Sequence, residues 1–416
     1  MKKRLATMLL LLACILGLCG CGNLFEKEYV FIADTTPPPL SELSRSERVT
    51  VATYNELKRT ILNMVYSGES GGTIDFDQSY TGSPVDDLEN ACWEVRTQDA
   101  LSVYCVQNMS FSIEKIVTFY EAAVEIEYTA YATDIDSIVQ VPYAVGIRDL
   151  LSTALAENRT HLAILINASP YGIEKIRSFV QDIYRTNPTI CVKEPSLTVY
   201  MYSGAGNQRL YSIAINYGMT EDELIRRKSL LKNLDVESNL NTYGLDDAQK
   251  ALTACRYIAD NCLPGEEGAS CYDALIDHSA NSEGMALAYV ELCRQLKLDC
   301  RIVYGQYNGS AHCWNIVKID GDYYHVDPSV CAEGDYYAGF LRSEEDLWGL
   351  YRWELGNYPA CNGTLKYADV SGEEDLLPVP SSEGEAGEEF SGGEEELPGE
   401  TGENLPEDQG SETADS

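Results

Sequence analysis

Apolar residues at helical spacing alternate along this chain with short runs at strand spacing, and the order recurs. Tyr54–Met64 and Ile147–Leu155 each carry apolar side chains three and four residues apart, and each leads into a short apolar run, Thr73–Phe76 and Leu162–Ile166. A second helical stretch follows in both places, ending at Arg96-Thr97 and at Arg185-Thr186, before strand-like Leu101–Val106 and Ile190–Val192. Both close on an alternating strand that ends in tyrosine, Val124–Tyr128 and Ile213–Tyr217. From Arg96 to Arg185 and from Tyr128 to Tyr217 the offset is 89 residues. Self-similarity at a fixed offset marks a repeated unit. Residues 49–218 are therefore expected to form a duplicated α-β-α-β-β module, with repeats at about 49–131 and 145–218. Polar residues 219–243 read as a connecting helix and turn.

A second pattern begins at about 244. A helix with apolar spacing, Ala248–Ile258, leads through a Pro/Gly-containing loop to Cys271–Leu275 and then to a helical stretch that runs from Asn281 through Tyr289. After a strand, Arg301–Tyr304, two alternating runs flank Asp320-Gly321, a strong signal for a two-residue hairpin turn. With that turn Ile319 faces Asp322, Trp314 faces Asp327 and His312 faces Ser329. Alternate residues return to one face, so His312, Trp314, His325 and Asp327 share a side, with Asp327 diagonal to His312 and within reach. A carboxylate so placed can accept the imidazole N–H, fix its tautomer and steady its positive charge. Cys313 points to the other face.

These residues carry a resemblance. The His312-x-Trp314-Asn315 strand, the Asp320-Gly321 turn and the Tyr324-His325-Val326-Asp327-Pro328 strand resemble the signature of the transglutaminase-like superfamily, a group of papain-like thiol enzymes. The stretch Asn281-Ser282-Glu283-Gly284-Met285-Ala286-Leu287-Ala288 is similar to that family's nucleophile-bearing helix entry. The resemblance implies an α+β domain over 244–370, a helix packed on an antiparallel sheet, with His312 and Asp327 as the family histidine and aspartate. It places Ser282 at the nucleophilic cysteine. A hydroxyl is a far weaker acid than a thiol, so the helix dipole and imidazolium that make a thiolate do not ionise it. Ser282 and Asn281 are also residue types that a helix N-cap prefers. Two functions follow as expectations: a non-catalytic module binding or scaffolding a peptide or cell-wall ligand, with Trp314 and His325 as cleft candidates, or a hydrolase, amidase or protease using Ser282, His312 and Asp327. His312, His325 and Asp327 share a face, but zinc asks for a further ligand and an open approach, so neither metal nor cofactor is expected.

Charge and address narrow the setting. Of the −36 formal charge, residues 1–20 contribute +3 and residues 371–416 sixteen acidic and no basic side chains, which leaves −23 on the body. Such a surface repels phosphate backbones, so nucleic acid is not an expected partner. Residues 1–20 combine a basic start with an apolar run too short for a bilayer span, reading as a secretory signal. Leu18-Cys19-Gly20-Cys21 resembles the lipobox of bacterial lipoproteins. That implies lipidation at Cys21, a tether over 21–48 and an extracytoplasmic position on the cell membrane. The Glu/Gly/Ser/Pro-rich residues 371–416 bury too little apolar surface to offset chain entropy and are expected to be a disordered acidic tail. Eleven cysteines remain beyond Cys21, an odd number, so at least one stays unpaired within the chain. Cys293 and Cys300, at a helix end and the following strand, are the better-placed pair.

Overall fold

The computed structural model describes residues 48–129, 135–234 and 240–372. Cys21, the signal before it and the acidic tail from 373 onward lie outside them. Among the described residues no helix is long and apolar enough to cross a membrane.

The architecture is α+β. Strands β1 (Val49–Val51), β2 (Gly71–Phe76), β3 (Val106–Ile116) and β4 (Phe119–Tyr128) form a sheet in the order β1-β2-β4-β3. Strands β5 (Val139–Tyr143), β6 (His161–Ala168), β7 (Ser196–Ser203) and β8 (Arg209–Asn216) form another in the order β5-β6-β8-β7. In both sheets the first pair is parallel and the others antiparallel. Registers agree as well: Val49 pairs with Ile74 in one copy, and Val139 with Ile164, each 90 residues on, in the other. The parallel pair needs a crossover, which the helices Tyr54–Tyr66 and Ile147–Ala156 supply. Helix Tyr54–Tyr66 starts where Thr53 accepts from Glu56 N–H and buries Leu57, Ile61, Met64 and Val65, the stripe its spacing predicts.

Three local expectations are corrected. Each copy opens with a short edge strand, β1 or β5, too brief to show a period in the sequence. Leu101–Val106 is mostly a helix, Ala100–Cys105, capped by the Asp99 side chain accepting from Ser102 N–H. Ala100, Leu101, Ser102, Tyr104 and Cys105 are all buried, so the apolar run reports burial rather than extension. Ile190–Val192 is likewise no strand: Pro188–Ile190 is a 3₁₀ turn, and Val192 sits at φ 65°, outside the β region.

The two sheets bury their faces differently. On β2 buried positions alternate with half-buried ones, whereas five consecutive residues of β6, Leu162–Ile166, are buried. Leu162, Ile164 and Ile166 enter one core, and Ala163 and Leu165 enter that of the first copy. A strand covered on both sides reads as a continuous apolar run, which is why 162–166 lacks alternation.

Downstream, β9 (Leu263–Pro264) and β10 (Ser279–Ala280) make a small parallel pair. Strands β11 (Cys300–Tyr307), β12 (Ser310–Ile319), β13 (Asp322–Val326) and β14 (Tyr351–Trp353) form an antiparallel sheet in the order β13-β12-β11-β14. Ile319 pairs with Asp322 across Asp320 and Gly321, whose φ values of 52° and 101° are the positive pair a type I′ turn requires. Against this sheet lies the helix Ser282–Gln295. Gly284 through Cys293 are buried without interruption, so this helix is surrounded rather than amphipathic. Its neighbours are the helix Asp247–Asn261, strands β11 and β12, and the second copy's helix Ile173–Thr186. The apolar core of the second sheet is consequently continuous with that of the C-terminal domain: Ile176, Val180 and Tyr184 belong to the same cluster as Met285, Leu287 and Val317.

Candidate functional site

Ser282 is the first residue of the central helix, and its neighbours set its geometry. Asn281 is the N-cap: its side-chain oxygen accepts from Glu283 N–H at 3.0 Å and Gly284 N–H at 3.1 Å. The capping role considered for Ser282 therefore belongs to Asn281, and the serine oxygen instead accepts from Cys313 N–H at 3.2 Å. Gly284 explains how the helix start is held so close to the loop before it. A Cβ at that position would lie 2.3 Å from the Gly268 carbonyl oxygen and 3.0 Å from that of Ser270.

His312 lies on β12, one residue before Cys313, and its Nε2 is 2.7 Å from Asp327 Oδ2. With the carboxylate as acceptor, Nε2–H donates to Asp327, which fixes the plane of the ring. Asp327 is held from several directions. Tyr351 donates its phenol proton to Oδ2 at 2.8 Å, while Oδ1 accepts from Ser329 Oγ at 2.6 Å and from the main-chain N–H groups of Ser329 and Val330. The same carboxylate thus caps the helix Pro328–Ala332 and fixes the imidazole. The side chain of Asp327 is only 4% exposed, whereas that of His312, at 14%, still reaches the surface. Tyr307 covers one side of the imidazole, its ring centroid 5.3 Å away.

Trp314 and His325 share the face with His312 but line no cleft. They are 0% and 1% exposed, and Trp314 Nε1 donates to His325 Nδ1 at 3.0 Å. The chain beyond 340 folds over them: Leu347, Tyr351 and Cys361 complete a small core with Val303, Trp314 and Ile316, and Trp353 packs 4.9 Å from the His325 ring. Burial pulls the His325 imidazole down to about 4, so it stays neutral. Among the described residues no group of three His, Cys, Asp or Glu is placed to hold a metal ion.

Two further parts of the site are absent from the sequence motif. Tyr351 comes from β14, at the edge of the sheet. On the other side of Ser282, Tyr304 donates to Glu283 Oε1 at 3.0 Å, and the Arg185 guanidinium lies 4.2 Å from the Tyr304 ring centroid. Burial raises the Glu283 carboxyl above its ordinary value. Asn315 serves the fold rather than the site, since its Nδ2 donates to Ala286 O at 3.0 Å and ties β12 to the central helix.

A helix start hydrogen-bonded to the strand that carries the histidine, with the histidine paired to a strand-end aspartate, is the arrangement expected of a transglutaminase-like domain. Residues 236–328 match the family model described as the transglutaminase-like superfamily, a stretch that contains Ser282, His312 and Asp327. Among solved structures the chain is similar to a transglutaminase, described as a TGase, at 14% identity over 41% of this chain and 51% of the other, with a TM-score of 0.24. It is also similar to a protein described as a candidate cysteine protease from Cytophaga hutchinsonii, at 13% identity over 32% of this chain and 62% of the other, with a TM-score of 0.22. The chain thus spans about half to three-fifths of those proteins. No curated protein sequence matches it.

Proposed function

We propose that this chain is a lipid-anchored surface protein whose transglutaminase-like domain binds a peptide or cell-wall ligand without turning it over. The observation that carries this reading is Ser282 itself, standing where the family resemblance places a thiol, with its oxygen accepting from Cys313 N–H. A helix N-terminus and an imidazole activate a thiol by stabilising its anion, and a hydroxyl does not ionise in the same field. Serine catalysis would need an oxyanion hole fitted to its shorter bond to carbon, which a site shaped for a thiol does not supply ready-made. Cys21 carries the lipid in this proposal, and the tether beyond it holds the domain at the extracytoplasmic face of the cell membrane.

One observation favours the other reading, a hydrolase with a Ser282–His312–Asp327 triad: the His312–Asp327 pair is fully built, with Tyr351 and Ser329 in support. Labelling separates the two. A fluorophosphonate probe should leave the wild type unmarked, and Ser282→Cys should gain iodoacetamide reactivity at neutral pH that falls when His312→Ala is added, with native cysteines tracked by peptide mapping. Fluorophosphonate labelling of the wild type that Ser282→Ala abolishes would establish the enzyme and overturn the binding module.

A further inference from the structure

Arg185 sits in the last turn of the helix Ile173–Thr186, which packs on β11 and on the helix Ser282–Gln295. Its guanidinium carbon lies 4.2 Å from the centre of the Tyr304 ring, a contact that holds the charged group against a rigid surface. Two carboxylates stand nearby, and each is taken by a neutral donor. Glu283 Oε1 accepts from the Tyr304 hydroxyl at 3.0 Å, and Glu194 Oε1 accepts from Gln181 Nε2, one turn before Arg185 on the same helix face, at 3.0 Å. Among the described residues the Arg185 guanidinium makes no ion pair and no hydrogen bond. Its Nε is buried without a partner, whereas its two terminal amino groups are open to solvent. Arg185, Tyr304, Glu283 and Ser282 are all half-buried, so the cluster borders solvent at the start of the central helix. A cation held partly out of water without an acceptor is costly, and a bound anion would relieve that cost.

Resting on the peptide-binding function above, we propose that Arg185, positioned by the Tyr304 ring, binds the carboxylate of a peptide seated beside Ser282. The terminal amino groups of a guanidinium present two parallel N–H donors that match the two oxygens of a carboxylate. Because the ring already holds the guanidinium, little side-chain freedom is left to lose when the ligand arrives. Glu194 and Glu283 limit the charge that the site accepts. One negative charge on the ligand is offset by Arg185, but a second would stand among carboxylates of its own sign, so a carboxylate is favoured over a doubly charged phosphate. The second copy of the repeat thereby contributes a ligand-binding side chain to the C-terminal domain as well as packing against it.

Nitrogen–proton spectra of the guanidinium groups test this in the full chain, titrated in turn with N-acetyl-alanyl-alanine, its carboxamide and inorganic phosphate. The Arg185 signal is assigned by its loss in Arg185→Lys. The carboxylate peptide should shift that signal and bind at least about tenfold more tightly than the carboxamide, as a charge-assisted pair requires. In Arg185→Lys the preference should vanish although the charge is kept, because an ammonium offers neither the fork nor the flat stacking plane. Thermal unfolding of the variant at the wild-type temperature shows that the loss concerns the ligand and not the fold. Equal binding of the two peptides with the Arg185 signal unmoved overturns the carboxylate site and leaves peptide binding standing. A preference that survives in Arg185→Lys, or tighter binding of phosphate than of the peptide, overturns it too. Binding of neither peptide sinks the carboxylate site together with the peptide-binding function.

Discussion

His325 should make this protein lose stability in mild acid by an amount that can be isolated. Its imidazole is buried, its Nδ1 accepts from Trp314 Nε1, and its Nε2 has no hydrogen-bond partner among the described residues. Protonation would put a charge into an aromatic core and break the Trp314 bond. Burial lowers the value from 6.5 to about 4 in the folded chain. Because the folded value is depressed, the unfolded chain takes up the proton first. The contribution of His325 is whole above about pH 6.5 and is lost as pH falls toward 4. Spread over that interval, the linkage amounts to about 3 kcal/mol. Urea denaturation of the wild type and His325→Gln from pH 8 to pH 4 measures it, since the glutamine oxygen can still accept from Trp314 and does not titrate. At pH 8 the variant should be the less stable, by about 1–2 kcal/mol for lost packing. The difference should then move by about 3 kcal/mol in the variant's favour as pH falls, closing the gap and leaving the variant the more stable by about 1–2 kcal/mol, since the many acidic groups cancel in the difference. Parallel stability curves for the two proteins, or an imidazole resonance of His325 titrating above pH 6, would refute the argument.

Gly284→Ala should cost at least about 2 kcal/mol in chemical denaturation, because the added methyl meets the main-chain oxygens of Gly268 and Ser270, which cannot rotate away. A neutral result would mean that the loop shifts freely. A fragment of residues 236–372 should bind 1-anilinonaphthalene-8-sulfonate and aggregate where the longer chain does not, because removing Ile176, Val180 and Tyr184 uncovers the core they share with the central helix. Cys21→Ser should release the protein from membranes, and a variant that still floats with them under alkaline wash places the anchor elsewhere.

What the sequence discloses about the C-terminal domain follows from one turn. Asp320-Gly321 allows a two-residue loop of a single hand, and that loop alone sets the pairing of Ile319 with Asp322 and the diagonal from His312 to Asp327. Neither the cover over Trp314 and His325 nor the role of Tyr351 could be read in the same way. Tyr351 follows Asp327 by 24 residues, on a three-residue strand with no period of its own, and only the folded chain brings its phenol to the carboxylate. In the paired sheets the repeat was legible from offsets because insertions are few. The error at Leu101–Val106 arose because a six-residue buried helix and a buried strand are both simply apolar.

Divergence between the two copies has a physical reading that links them to the site. Both helices that follow β2 and β6 carry Arg-Thr in their last turn, yet the second helix, Ile173–Thr186, packs on β11 and on the helix Ser282–Gln295. Its Arg185 lies over Tyr304, and the Tyr304 hydroxyl holds the carboxyl of Glu283, the residue beside Ser282. The first copy in turn covers the far face of the second sheet. There Gln208 donates to Asp99 at 3.1 Å and accepts from Ala100 N–H at 2.8 Å, while Ala163, Leu165 and Leu210 enter the first copy's core. A sheet buried on both faces cannot shift without opening one core or the other. The second copy therefore acts as a rigid bracket for the start of the central helix, and the first copy is what makes that bracket rigid.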